Sequence, residues 1–228
     1  NMINEKFYRT QEKDTIITRI DPEGKRILLE SLANLLSILS TPFMTPLIGF
    51  VLLFSCTHLR LLPPIYISIV LGIVVCFTLC MPMLIIYLFQ KVNGWNITDL
   101  KVKEKRFLPY LLTIISYATC LISMNRLHLP RYMSGIILAA LICITLCTVI
   151  NIKYKISTHA ASAGLLVGGL VSYGFLFGFN PIGALCIAIL WSGLIGTARI
   201  ILNQHTLFEV LAGFVAGMFC GVIGILFI

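Results

Sequence analysis

The residues of this chain that could do chemistry stand near its end, in the stretch GTARIILNQHTLFEVLAG. Arg199 is followed after five residues by His205, and His205 after three more by Glu209. A helix beginning near His205 puts His205 and Glu209 one turn apart on one face, where the carboxylate can hold the imidazole ring and fix its tautomer. Such a pair is an orienter and a base. Glu209 is also isolated, since no other Asp or Glu follows Glu104. The same residues have a structural reading: Thr206-Leu207-Phe208-Glu209 fits the Thr-x-x-Glu capping box, which satisfies the free amides that open a helix.

A second cluster is Ile156-Ser157-Thr158-His159. Ser or Thr can cap the oncoming helix here, and the exposed amides and positive end of that helix make an anion site. His58 and His128 are read as ordinary interfacial residues. His159 differs in the company it keeps, and the elements that position it have to be read from the rest of the chain.

Those elements are membrane spans. Of the 228 residues 58% are hydrophobic and only 11% charged, and the mean hydropathy of +0.98 excludes a soluble domain of this size. The first thirty residues are mixed-charge and polar, without the apolar core of a secretory signal. A net charge of +8 points to cytoplasmic loops and anionic headgroups rather than to nucleic acid, for which no basic groove with interleaved aromatics is present. The eight cysteines include no Cys-x-x-Cys pair and fall nearly all in apolar runs, so they read as buried thiols, neither metal ligands nor disulfides.

The chain divides into residues 1–40, a polar segment leading into an amphipathic interfacial helix that opens at Asp21-Pro22-Glu23, and residues 41–228, a transmembrane domain. Apolar segments lie at roughly 42–60, 65–90, 108–124, 131–151, 159–179, 181–198 and 206–227, each near the ~20 residues that a ~30 Å core requires. The fold class is therefore all-α, a polytopic transmembrane helix bundle of six or seven spans. The variable one is the first, which Thr41-Pro42 and Thr45-Pro46 interrupt. Two spans separate the loop containing Arg106 from His159, and two more lead to Arg199 and His205, so all three polar clusters face one side. Small residues at four-residue intervals, Ala160, Gly164 and Gly168 in one span and Gly213, Gly217 and Gly221 in another, let the two helices lie side by side and bring His159 and His205 together.

These residues resemble the type-2 phosphatidic acid phosphatase superfamily, which also includes the vanadium haloperoxidases. Its third motif, Ser-Arg-x5-His-x3-Asp, is matched by Ala198-Arg199-x5-His205-x3-Glu209 with the spacing intact. Its second, Pro-Ser-Gly-His, is matched by Ile156-Ser157-Thr158-His159, which keeps Ser and His. Its first, Lys-x6-Arg-Pro, is represented by Arg106 with a lysine near it, taken as Lys103 among Lys101, Lys103 and Lys105. The resemblance covers roughly residues 99–213 and implies that His205 is the nucleophile that becomes a phosphohistidine, with Glu209 fixing its tautomer. It implies that His159 is the general acid, and that Arg199, Ser157, Arg106 and Lys103 hold the phosphoryl oxygens. It also implies that no metal or other cofactor takes part.

The expected function is a membrane-embedded lipid phosphate phosphatase acting on a phosphomonoester or diphosphate of a lipid, such as phosphatidic acid, phosphatidylglycerophosphate or a polyprenyl phosphate or diphosphate. A phosphotransferase of the same chemistry and a non-enzymatic transporter or assembly subunit are the alternatives. The expected location is the inner or plasma membrane. On the side opposite the site stand only Arg60, Arg126 and Arg131, while the site side holds the N-terminal basic residues, Lys91, the cluster at 101–106, Lys153, Lys155 and Arg199, so the charge rule puts the site in the cytoplasm.

Overall fold

The computed structural model describes residues 22–93 and 103–227. The polar stretch 1–21 and the polar loop 94–102, including Lys101, lie outside the described residues. The order of elements is α1 (Pro22–Leu39), α2 (Met44–Cys56), a 3₁₀ turn (His58–Leu61), α3 (Pro64–Val75), a π-helical turn (Cys76–Cys80), α4 (Met81–Asn93), α5 (Lys103–Arg126), α6 (Arg131–Lys153), α7 (Thr158–Phe177), α8 (Ile182–Ile201) and α9 (Leu207–Leu226). Every described element is a helix. Among the described residues, five helical stretches are long and apolar enough to cross a membrane: Pro64–Leu88, Arg131–Lys153, Thr158–Phe177, Ile182–Ile201 and Leu207–Leu226. This is an integral membrane protein.

The expected first span is shorter than its apolar run. At 13 residues, α2 reaches ~20 Å, short of a ~30 Å core. Pro42 precedes its start at Met44, and Pro46 sits in its first turn, where no amide bond is lost. At its far end Thr57 donates to the Leu53 carbonyl (2.6 Å) and accepts from the Leu59 amide (3.2 Å), which turns the chain into the 3₁₀ segment. There the His58 ring meets the Phe177 ring edge-on, with centroids 5.3 Å apart, so α2 ends level with the end of α7.

The segment expected as one helix at 65–90 is regular except at Cys76–Cys80. Pro82 lacks an amide and its ring crowds the carbonyl of Thr78, so the helix widens there into a π turn. Ser116 of α5 donates to the Phe77 carbonyl (2.5 Å) and so compensates the disturbed ladder inside the apolar bundle.

At the centre stands α7, packed against α2, α6, α8 and α9. Its contact with α9 is backbone on backbone. A Cβ on Gly217 would stand 1.8 Å from the Ala161 carbonyl oxygen, and one on Gly164 would stand 2.0 Å from that of Phe214. The spaced glycines expected to bring these helices together do so, with Ala161 rather than its neighbour Ala160 facing Gly217. Hydrocarbon chains solvate leucine as well as a protein interior does, so close van der Waals approach is what holds such a pair together. All eight cysteines are free. Cys120, Cys143, Cys147 and Cys220 are buried as expected, whereas Cys76, Cys80 and Cys186 are exposed on the outer faces of their helices.

Candidate active site

The N-terminal ends of α7 and α9 are stitched together directly. The Ser157 amide donates to the Glu209 carbonyl (3.3 Å), and a Cβ on Gly213 would stand 2.5 Å from the Ser157 carbonyl oxygen. Ser157 caps α7, its Oγ accepting from the Ala160 amide (3.4 Å). The residue is fully buried, so its hydroxyl serves the helix.

The spacing of Arg199 and His205 is that of a helix end. The Leu202 amide still donates to the Ala198 carbonyl, Asn203 then takes a left-handed φ of 52°, and the Gln204 amide reaches back to the Arg199 carbonyl (3.1 Å). Asparagine tolerates that conformation and commonly terminates helices. The reversal returns His205 over the last turn of α8, beside Arg199.

Glu209 combines the two roles that its sequence context offered. Its Oε2 lies 2.7 Å from His205 Nδ1 and 3.4 Å from the Thr206 amide, while Thr206 Oγ1 accepts from the Glu209 amide (3.4 Å). The capping box therefore fixes the carboxylate, and the carboxylate fixes the ring. With Nδ1–H donating to Glu209, the lone pair lies on Nε2. Burial pushes the His205 pKa down, and the nearby Arg199 and Lys155 charges push the same way, while the Glu209 hydrogen bond opposes them. The net shift is downward, which keeps the ring neutral and nucleophilic at neutral pH.

His159, on the first turn of α7, interacts electrostatically with Arg199 and His205 and lies near the Ser37 backbone. Its Nδ1 is buried without a hydrogen-bond partner among the described residues. A buried polar atom left in this state marks a place for a water or a ligand.

Two residues that sequence reasoning did not single out complete the group. Ser37, near the end of α1, accepts from Arg199 Nη1 at 2.7 Å. Lys155, just before the α7 cap, donates through Nζ to the Gln204 carbonyl (2.5 Å) and acts on both His205 and Glu209. Lys155 had a local signal, being two residues ahead of Ser157. Ser37 had none, because only the packing of α1 against α8 brings it near. Lys103 and Arg106 open α5 in the backbone, and their side chains lie outside the described residues.

Together these features define a helical integral membrane protein with His205, Glu209, His159, Arg199 and Lys155 gathered at one end of the bundle. No protein-family model, curated protein or solved structure matches the chain.

Proposed function

We propose that the chain is a lipid phosphate phosphatase working through a phosphohistidine. The observation that carries the reading is the 2.7 Å contact between His205 Nδ1 and Glu209 Oε2, which leaves Nε2 as a neutral nucleophile among cations. Nε2 forms a bond to phosphorus as the P–O bond to the lipid breaks, and His159, which takes up a proton when the negative charge of the phosphate settles beside it, protonates the departing alkoxide. A water then gives its proton to His159 and attacks the phosphohistidine, which frees His205 and releases phosphate. Arg199 and Lys155 balance the charge on the phosphoryl oxygens, and the resemblance adds Arg106 and Lys103 to them. Ser157 acts through the end of α7 that it caps.

Phosphate release from a short-chain phosphatidic acid by the purified protein tests the reading. Release is expected to persist in excess chelator and to stop with vanadate, whose five-coordinate form resembles the phosphoryl transition state. No release from any lipid phosphate, or strict dependence on magnesium, would overturn it.

Within the same proposal, α2, the α3–α4 stretch, α5, α6, α7, α8 and α9 make seven crossings, or six if α2 stops short. The helix α1 lies in the interface, which its exposed Ile27, Leu28, Leu32, Leu35 and Ile38 support. The basic residues of the site side then put the site in the cytoplasm. In intact cells lacking the native thiols, a Gln204→Cys variant should resist an impermeant maleimide until the membrane is opened, and prompt labelling from outside would reverse the assignment.

A further inference from the structure

Behind α2 lie two narrow cavities lined mostly by apolar side chains. They stand end to end. Along α7 the first is lined from Thr158 to Leu165 and the second from Leu165 to Tyr173. Along α6, which runs the opposite way, the first takes Ala140 to Cys147 and the second Ile136 and Ala139. Thr45 and Leu165 line both and form the neck between them. From Thr158 to Tyr173 the rise of α7 is ~22 Å, well beyond the ~15 Å that one leaflet contributes to a ~30 Å core.

The passage begins at the candidate site. Thr158 lines it and adjoins His159. At 100° per residue, His159 also shares a stripe of α7 with Ser162 and Leu166, which line the first and second cavities. Four of the lining hydroxyls are turned to the backbone, since Ser162 donates to the Thr158 carbonyl (2.9 Å), Thr57 to that of Leu53 (2.6 Å), Tyr117 to that of Pro42 (3.5 Å) and Tyr173 to that of Tyr132 (2.5 Å), which leaves those of Thr45 and Thr158 as the polar points of the lining. A passage whose lining is mostly hydrocarbon suits hydrocarbon.

From this geometry we infer that the passage behind α2 holds the single long hydrocarbon chain of a lipid monophosphate whose phosphate lies at His159 and His205. The inference deepens the lipid-phosphate reading and rests on it for the headgroup. A single chain follows from the arrangement in series, since two chains side by side would need two openings at the site end. Selectivity for one long chain over two acyl chains follows in turn.

The test uses hexadecyl phosphate carrying a diazirine at the far end of its chain, photolysed on the full-length protein in lipid nanodiscs, with adducts mapped by mass spectrometry. Adducts are expected on α2 near Leu53 and on the stretch from Leu166 to Phe179. Unlabelled hexadecyl phosphate should displace most of them, and hexadecanol should not. Thr45→Phe, which fills the neck, should move the adducts up to the level of Cys143 and Cys147. Leu166→Trp narrows the deeper section and serves the same purpose if the first variant fails to fold. Adducts on the lipid-facing residues of α8, such as Ile187 and Leu190, would overturn the inference. So would equal displacement by hexadecanol, or an adduct pattern unchanged in both folded variants. Phosphate release is measured in parallel. Adducts in the passage without release would uphold the passage and end the phosphatase reading, while release with adducts only outside would end the passage alone.

Discussion

His205→Ala is expected to lower phosphate release by at least ~10³-fold while the protein still inserts and elutes as the parent does. The substitution removes the atom that bonds to phosphorus, and the neighbouring cations can bind the substrate but cannot replace that bond. His159→Ala is expected to cost ~10²–10⁴-fold, the usual range for a general acid. Its effect should shrink on substrates with a better leaving group, such as an aryl phosphate, because a stable phenolate needs no proton. The pH dependence carries a sign. His205 is held below the ordinary histidine value of ~6.5, so the neutral ring is lost only as pH falls through that lower value. Diethyl pyrocarbonate, which acylates neutral imidazole, should therefore react at His205 with a midpoint below ~6.5. In Glu209→Gln the midpoint should fall further, because the carboxylate is what holds it up. Full activity in His205→Ala would remove the mechanism, and a midpoint above that of an exposed histidine would remove the account of its environment.

The second large effect concerns the frame that brings the histidines together. Gly217→Leu is expected to abolish the folded protein, because its Cβ alone would stand 1.8 Å from the backbone oxygen of Ala161. A side chain could rotate away, but a carbonyl inside a helix cannot. Even Gly217→Ala should exceed the ~1–3 kcal/mol that ordinary overpacking costs. Gly183→Leu on α8 is the control, since nothing stands within 4 Å of a Cβ there. Size-exclusion profiles and thermal melts of the purified variants measure the difference. A Gly217→Leu protein as stable as the control would mean that α7 and α9 do not pack through their glycines.

Local patterns in the chain already contained much of this. Runs of apolar residues mark helices wherever the surroundings are hydrocarbon, because a backbone without water must close its hydrogen bonds within the segment. The expected boundaries consequently fall within a few residues of α3–α4 and α5 to α9. The pair His205 and Glu209 was legible for a similar reason, since four residues on a helix define a distance whatever else is present. The glycine rows were legible because small residues at one-turn intervals on a membrane helix have few other uses. The length of α2 was harder to read, since Pro42 and the Thr57 turn shorten a run that hydropathy alone extends.

What lay beyond the sequence was the company of these residues across the fold. Ser37 reaches Arg199 over 162 positions of chain, and Lys155 reaches Gln204 over 49. Neither contact has a period or a spacing that a linear pattern could reveal. The two roles of Glu209 also stayed unresolved until its Oε2 had coordinates, because a capping box and a histidine partner impose the same spacing. Sequence therefore determined each helix and the chemistry along one face of it, through forces that act within a few residues. Tertiary structure decided the register in which α7 and α9 meet and the arrival of α1 beside them, because backbone approach at Gly213, Gly217 and Gly164 sets the relative height of α7 and α9, and that height places His159 beside His205.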